Sequence, residues 1–410
     1  MFESQEACRS CGTVLGPTVL SLGSTPLANA LLAADELAEP EVSYPLELAF
    51  CQHCSLLQLN ATVSPRVLYD DYVYQSSYSD SLVQHAADIC DRLAKDHALG
   101  AASQVIEIAS NDGYLLQHYQ ARGVPVLGIE PARDIAAMAN RRGIRTLNQF
   151  FDSALVDRVL SDGLTADVIH AHNVLAHVGD LPGFIRGVSR LLKPAGVWVI
   201  EVPYVVDLID DTEFDTIYHE HLCYFSVTSL QNLIQSNGMR IRDVERLSIH
   251  GGSLRLFVMH QDAAVESDNV GRLLEQEERW GVQTLDTYRR FGKKVEDLKS
   301  QLRELLTELK GQGRAVAAYG ASAKGTTLLS YVGIGQETLD FVVDRSDVKQ
   351  GMYTPGTRLP ILAPGELIQR RPDYVLLLTW NFLDEILQQQ TEFRELGGKF
   401  IIPIPKVQVI

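Results

Sequence analysis

Short apolar runs that alternate with amphipathic helical stretches restrict this chain more than any other feature. Between residues 104 and about 260 the runs are Val105-Ile106-Glu107-Ile108, Val126-Leu127-Gly128-Ile129-Glu130, Val168-Ile169-His170 and Val197-Trp198-Val199-Ile200-Glu201. Runs of this kind, separated by helices, predict an α/β fold with a mostly parallel sheet. The rhythm restarts at Ala315-Val316-Ala317-Ala318-Tyr319, Phe341-Val342-Val343-Asp344 and Tyr374-Val375-Leu376-Leu377-Leu378, which implies a second, smaller Rossmann-like domain. Between the two, residues 265 to 312 lack proline, and Val295, Leu298, Leu302, Leu305 and Leu309 form an apolar stripe. One long connecting helix over 263–312 is expected. A further helix is predicted between about 79 and 98, where Leu82, Ala86, Ile89 and Leu93 recur at helical spacing behind Ser79 as N-cap.

Residues 1–65 read differently, with many turns and short apolar runs, and are too few to bury a large core alone. Cys8-x-x-Cys11 and Cys51-x-x-Cys54 lie towards their two ends. Two thiolate pairs on tight turns can close a tetrahedral shell around zinc, and a closed shell makes that zinc structural. His53 is expected to face solvent beside it. The remaining cysteines, Cys90 and Cys223, read as free thiols, because 6 cysteines in 410 residues are too sparse for a disulfide framework. The expected units are thus a zinc-binding domain at 1–65, a central domain at 66–262, the helix at 263–312 and a C-terminal domain at 313–410.

A formal net charge of −16 offers no positive field for a phosphate backbone or an anionic membrane surface, so neither nucleic acid nor membrane is an expected partner. The start of the chain lacks a basic segment followed by an apolar run, and no run of about 18 apolar residues occurs. A cytoplasmic location is the expectation.

The first run leads into Ala109-Ser110-Asn111-Asp112-Gly113, a polar turn bearing a glycine. A ligand sits at the carboxyl ends of strands in such sheets, and a turn without bulk lets backbone approach it. Glu130 ends the next strand, where a carboxylate can accept both hydroxyls of a ribose. Leu191-Leu192-Lys193-Pro194-Ala195-Gly196 stops a helix and starts a strand. In this order and spacing the parts resemble class I S-adenosylmethionine-dependent methyltransferases. That resemblance implies a cofactor site at Glu107, Asn111, Asp112, Gly113 and Glu130, with Asn173 after the strand of Val168 also facing the cofactor. The absence of G-x-G-x-x-G weakens a dinucleotide alternative.

Histidines concentrate in the same unit: Tyr218-His219-Glu220-His221, His177 and His250-Gly251-Gly252. An imidazole beside a carbonyl can take an adjacent carbon-bound proton, and a neighbouring carboxylate can orient it. Carbon methylation needs that step, because a carbon bearing only hydrogen has no lone pair until an enolate forms. His221, flanked by Tyr218 and Glu220, is the leading candidate base, with His177 and His250 next.

The series of cysteine pairs, Tyr72-x-Tyr74-x-Ser76-Ser77, Asn111-Asp112-Gly113, Tyr218-x-Glu220-His221, His250-Gly251-Gly252 and Tyr319-Gly320-Ala321-x-Ala323-Lys324 resembles the sugar C-3′-methyltransferases of antibiotic deoxysugar biosynthesis over nearly the whole chain. The resemblance implies a nucleotide-linked 4-keto deoxysugar as substrate and His221 as the base at C-3′. It also implies active-site roles for Tyr218, Glu220 and His177, and substrate contacts from Tyr72, Ser76, His250, Gly251 and Lys324. The Gly320–Gly325 turn would supply backbone donors and an ammonium at a helix N-terminus to a phosphate. Two other readings remain at this point: methylation of oxygen or nitrogen on another small molecule, and a zinc-containing binding module without catalysis.

Overall fold

The computed structural model describes residues 2–69, 75–263 and 265–410. At the N-terminus, β1 (Phe2–Ser4) awaits a distant partner, while β2 (Thr18–Thr25), β3 (Tyr44–Phe50) and β4 (Leu57–Leu59) form consecutive antiparallel pairs. Alternation decides which face is inside: Tyr44, Leu46, Leu48 and Phe50 are buried, the period of two that a half-buried strand requires. The partner of β1 is β5 (Ala61–Val63).

Helix α1 (Asp80–Asp96) follows, and the Ser79 hydroxyl accepts the Leu82 N–H at 3.3 Å as its cap. The central strands are β6 (Val105–Ile108), β7 (Val126–Ile129), β8 (Thr146–Leu147), β9 (Ala166–His172) and β10 (Leu192–Pro203). After them, β11 (Cys223–Tyr224) leaves the layer, and β12 (Met239–Leu247) and β13 (Ser253–His260) complete it. The order across this seven-stranded sheet is β12-β13-β10-β9-β6-β7-β8. Only β13 runs against the others, since it pairs antiparallel with both β10 and β12. This is the class I methyltransferase arrangement, with the loops after β6, β7, β9 and β10 at one edge.

β11 joins the N-terminal sheet by pairing antiparallel with β4, Cys223 opposite Gln58 and Tyr224 opposite Leu57. A unit expected to end near residue 65 therefore takes its last strand from the middle of the chain.

The connecting segment is two helices, α2 (Asp268–Trp280) and α3 (Leu285–Gly311), rather than the single helix expected over 263–312. Gly281 breaks it: its φ of 91° is left-handed, its N–H reaches Glu277 O, and the Val282 N–H reaches the same carbonyl. The apolar stripe of α3 is buried as anticipated at Val295, Leu298, Leu302 and Leu309. Its first half packs on the N-terminal sheet, with Tyr288 stacked on Phe50 at 4.1 Å between ring centroids. At Gly292 the helix meets β2 so closely that a Cβ would lie 2.4 Å from the Val19 carbonyl oxygen.

The last domain contains β14 (Val316–Tyr319), helix α4 (Ala323–Val332), β15 (Val342–Val343), β16 (Ile361–Leu362), β17 (Tyr374–Leu377), β18 (Lys399–Ile402) and β19 (Gln408–Val409). Its order, β16-β15-β14-β17-β18-β19, is doubly wound and parallel except for β19. Arg358 fastens this domain to the N-terminal one through the Glu41 carboxylate at 3.1 Å and the Leu37 and Glu39 carbonyls at 2.6 and 2.8 Å.

Candidate active site

The two cysteine pairs form matched knuckles. In the first, the Cys8 N–H bonds Thr13 O and the Gly12 N–H bonds Cys8 O; in the second, the Cys51 N–H bonds Leu56 O and the Ser55 N–H bonds Cys51 O. Gly12 and Ser55 take the same left-handed conformation, φ 72° and 63°. Sγ atoms of Cys8 and Cys54 lie 3.5 Å apart, those of Cys11 and Cys51 3.6 Å, and all four fall within 4.8 Å of one another. A tetrahedron with Zn–S bonds of about 2.3 Å has edges of about 3.8 Å, so the four sulfurs fit zinc. His53 is exposed beside them.

The chain leaves β6 through Ala109 and Asn111 at φ 53° and 49°, then Gly113 at 84°, where a Cβ would lie 2.4 Å from Ile144 Cδ1. Around this turn Glu107 Oε2, Ser110 Oγ and Asp112 Oδ1 are buried without a hydrogen-bond partner among the described residues. Three orphaned polar atoms on one turn are a cradle for a polar ligand, and the donor-rich aminoacyl end of S-adenosylmethionine matches them. Burial, then the charges of Glu130 and Asp112, push the Glu107 carboxyl well above its ordinary range. Glu130 accepts the Asn111 N–H at 2.9 Å on one oxygen and the Ala132 N–H at 2.8 Å on the other. Each oxygen keeps a lone pair for a ribose hydroxyl, and burial raises the group to about 6.

Asn111 and Asp112 also hold a neighbour. Asn111 Oδ1 accepts the Ser76 N–H at 2.8 Å, and Asp112 binds the Ser77 hydroxyl and Arg142, the latter at 2.9 Å. Ser76, expected at the sugar, thus stands against the cofactor turn. Tyr72 and the side chain of His250 lie outside the described residues. Asn173 ends β9 in a left-handed turn, φ 55°, with its N–H on Glu201 O at 2.8 Å.

The turn carrying Tyr218, Glu220 and His221 runs from Phe214 into β11. His221 Nδ1 lies 3.0 Å from the Thr216 carbonyl and Nε2 lies 3.1 Å from the Tyr218 hydroxyl. A carbonyl can only accept, so Nδ1 carries the proton and Nε2 the lone pair, to which Tyr218 donates. Burial, then His177, hold the ring down at about 3, so it is neutral. His177 stands edge-on to it at 5.0 Å between centroids and is held at about 4, chiefly by burial, against hydrogen bonds to the Glu220 and Asn173 backbones. A neighbouring carboxylate was expected to orient His221; among the described residues it is the Thr216 backbone carbonyl that meets the ring. Glu220 accepts the Asn29 amide at 2.6 Å.

Helix α4 closes the other side. Lys324 Nζ lies 4.7 Å from the Trp380 ring centroid, and Trp380 Nε1 donates to Asp215 Oδ2 at 2.7 Å. Burial raises Glu213 to about 7 and Asp215 to about 6, and in both the Lys324 charge opposes it. The ammonium expected at a phosphate therefore also faces two buried carboxylates and His221. Gly251, at φ 83°, packs on one of them: a Cβ would lie 2.3 Å from Glu213 Oε1.

Sequence reading missed a polar row across the sheet: Glu107, His170, His172, Glu201, Arg255 and Glu245, on neighbouring strands in register. Arg255 Nε donates to Glu201 at 2.6 Å, His85 meets Glu201 at 2.9 Å, His170 lies 3.0 Å from His172, and Tyr119 OH 2.9 Å from His170. Polar residues at period two inside apolar runs, as in His170-Ala171-His172, were the available signal. Glu201→Gln should cost about 3–5 kcal/mol, because it leaves the buried Arg255 charge with only the longer contact to half-buried Glu245, at 3.4 Å. Urea unfolding measures it, and a loss below about 1 kcal/mol would mean that the pair is not needed.

Comparison with known proteins agrees with this construction. Residues 8–69 match a putative zinc binding domain, 80–244 a methyltransferase domain and 248–405 a C-methyltransferase C-terminal domain. The C-methyltransferase NovU of Streptomyces niveus is 37% identical over 406 residues, 99% of this chain and 97% of that protein. Among solved structures, magnesium protoporphyrin IX methyltransferase of Synechocystis PCC 6803 covers 48% of this chain and 92% of its own at 16% identity and a TM-score of 0.37. An S-adenosylmethionine-dependent methyltransferase of Clostridium acetobutylicum covers 48% and 95% at 13% identity and 0.36. Identity of 37% along nearly the whole chain to a C-methyltransferase sets aside the readings of a catalytically silent module and of a transferase to oxygen or nitrogen. The chain belongs to the C-methyltransferases, as an S-adenosylmethionine-dependent enzyme with a four-cysteine zinc site ahead of its catalytic domain.

Proposed function

We propose that this enzyme methylates C-3′ of a nucleotide-linked 4-keto deoxysugar, with His221 as the base. The observation that carries the reading is the 3.0 Å contact of His221 Nδ1 with the Thr216 carbonyl, which accepts the Nδ1–H and so leaves the lone pair on Nε2. S-adenosylmethionine supplies an electrophilic methyl group. For the sugar to approach, its C-3′ hydrogen takes the position at Nε2 that the Tyr218 hydroxyl now holds. Nε2 then accepts the proton, the C–H electrons move into the C-3′–C-4′ bond, and the carbonyl oxygen becomes an enolate. The displaced Tyr218 hydroxyl then donates to that oxygen, where a hydrogen bond to developing charge is most effective.

Burial, then His177, keep the ring neutral, so the Nε2 lone pair is not protonated before the ketone is seated. His177 and Glu220 line the sugar side, Lys324 with the Gly320–Gly325 turn faces the diphosphate, and Gly251 and Ser76 border the cleft. Among the described residues no helix is long and apolar enough to cross a membrane. The test is turnover of thymidine-diphosphate-linked 4-keto deoxysugars in heavy water. The product should carry its new methyl on C-3′ by NMR, and C-3′ should take up deuterium in recovered substrate. A methyl on oxygen or nitrogen, or no turnover of any keto sugar nucleotide, would remove the proposal.

A further inference from the structure

Glu220 is buried, 6% exposed, and its carboxylate is met by a residue of the zinc-bearing domain: Asn29 Nδ2 donates to Oε1 at 2.6 Å across 191 positions of sequence. Asn29 is itself exposed. It sits on a turn that the C-terminal domain holds from the other side. There the Thr326 hydroxyl of α4 donates to Ala28 O at 2.9 Å, and Leu32 and Tyr353 exchange backbone hydrogen bonds of 2.9 Å. Pro26 packs against Gly356 so closely that a Cβ there would lie 2.9 Å from Pro26 Cγ. An exposed side chain with no packing role of its own, on a turn fixed at both ends, meets a buried carboxylate on the reactive turn.

We propose that Asn29 is a positioning residue, whose amide holds the Glu220 carboxylate in place and charged for the reaction. The inference rests on the reading above that Glu220 takes part. Burial lifts Glu220 to about 6, and the Asn29 hydrogen bond opposes it. No charged side chain adds to that balance. The adjoining His219 is lowered by burial and bonded to the Tyr44 carbonyl, and His177 and His221 are neutral, so none of the three supplies a cation. The amide is thus the group that favours the ionised form, and its arrival depends on all three domains being docked.

The test uses the full chain with Asn29→Ala and Asn29→Asp. The Glu220 carboxylate stretch is followed by difference infrared spectroscopy against Glu220→Gln. A hydrogen bond to a charged acceptor is worth roughly one pH unit or more. The midpoint should therefore rise by about one unit in Asn29→Ala, and further in Asn29→Asp, where two carboxylates face each other. The acid limb of kcat/KM for the keto sugar nucleotide should move up by the same amount. An unmoved midpoint in both variants overturns the proposal, whatever happens to turnover. A moved midpoint with an unmoved acid limb leaves Asn29 as the holder of Glu220 and removes Glu220 from the reaction, which is a failure of the functional reading instead.

Discussion

His221→Ala is expected to retain S-adenosylmethionine affinity and lose turnover by roughly a hundredfold to ten-thousandfold, the usual yield of a positioned general base. The cofactor turn after β6 lies apart from the hydrogen bonds of His221, whose partners are Thr216 and Tyr218. Calorimetry with S-adenosylmethionine should therefore match the wild type while the methylation rate collapses. Deuterium exchange at C-3′ should fall with it, because both need the same proton transfer. Tyr218→Phe offers a control: it removes the donor to Nε2 and should slow turnover without abolishing exchange. A His221→Ala enzyme that turns over at the wild-type rate would move the base to His177 or His250.

Removal of zinc should damage catalysis as well as stability. Cys51→Ala deletes a ligand at the end of β3 and opens the second knuckle, and structural zinc binding is coupled to folding. The sheet it anchors includes β11, which begins two residues after His221, and the Leu59 N–H holds the Leu222 carbonyl at 2.9 Å. A shift of about 1 Å in the base can cost about a hundredfold. We expect Cys51→Ala to lose its metal, to lose several kcal/mol of stability on the order of a structural zinc site, and to fall about a hundredfold in turnover at a temperature where it is still folded. Metal analysis, thermal unfolding and initial rates measure the three effects. Full turnover in metal-free folded protein would show that the knuckle does not support the reactive turn.

Much of this was readable in the sequence because the determinants are local. The CxxC pairs place each sulfur by a turn of four residues, and β6, β7, β9 and β10 announce themselves as apolar runs because they are buried on both faces. Ser79 caps α1 through a contact three residues away. The break at Gly281 was also local, a glycine behind Arg279-Trp280, but the lack of proline over 265–312 and the stripe from Val295 to Leu309 outweighed one residue. His221 stood out by its company, Tyr218 and Glu220, but its contact with the Thr216 carbonyl did not, because a backbone carbonyl has no sequence signature.

What the sequence determined by itself is therefore the set of elements, the metal ligands and the polar turn after β6, all of which depend on periodicity and contacts within a few residues. Only tertiary structure decided that β11 completes the zinc-bearing sheet, that the row from Glu107 to Glu245 is continuous, and that Asn29 reaches Glu220. Those contacts join residues that are far apart in the chain, and which partner a buried polar group finds depends on how whole layers pack, since each must be satisfied once water is gone.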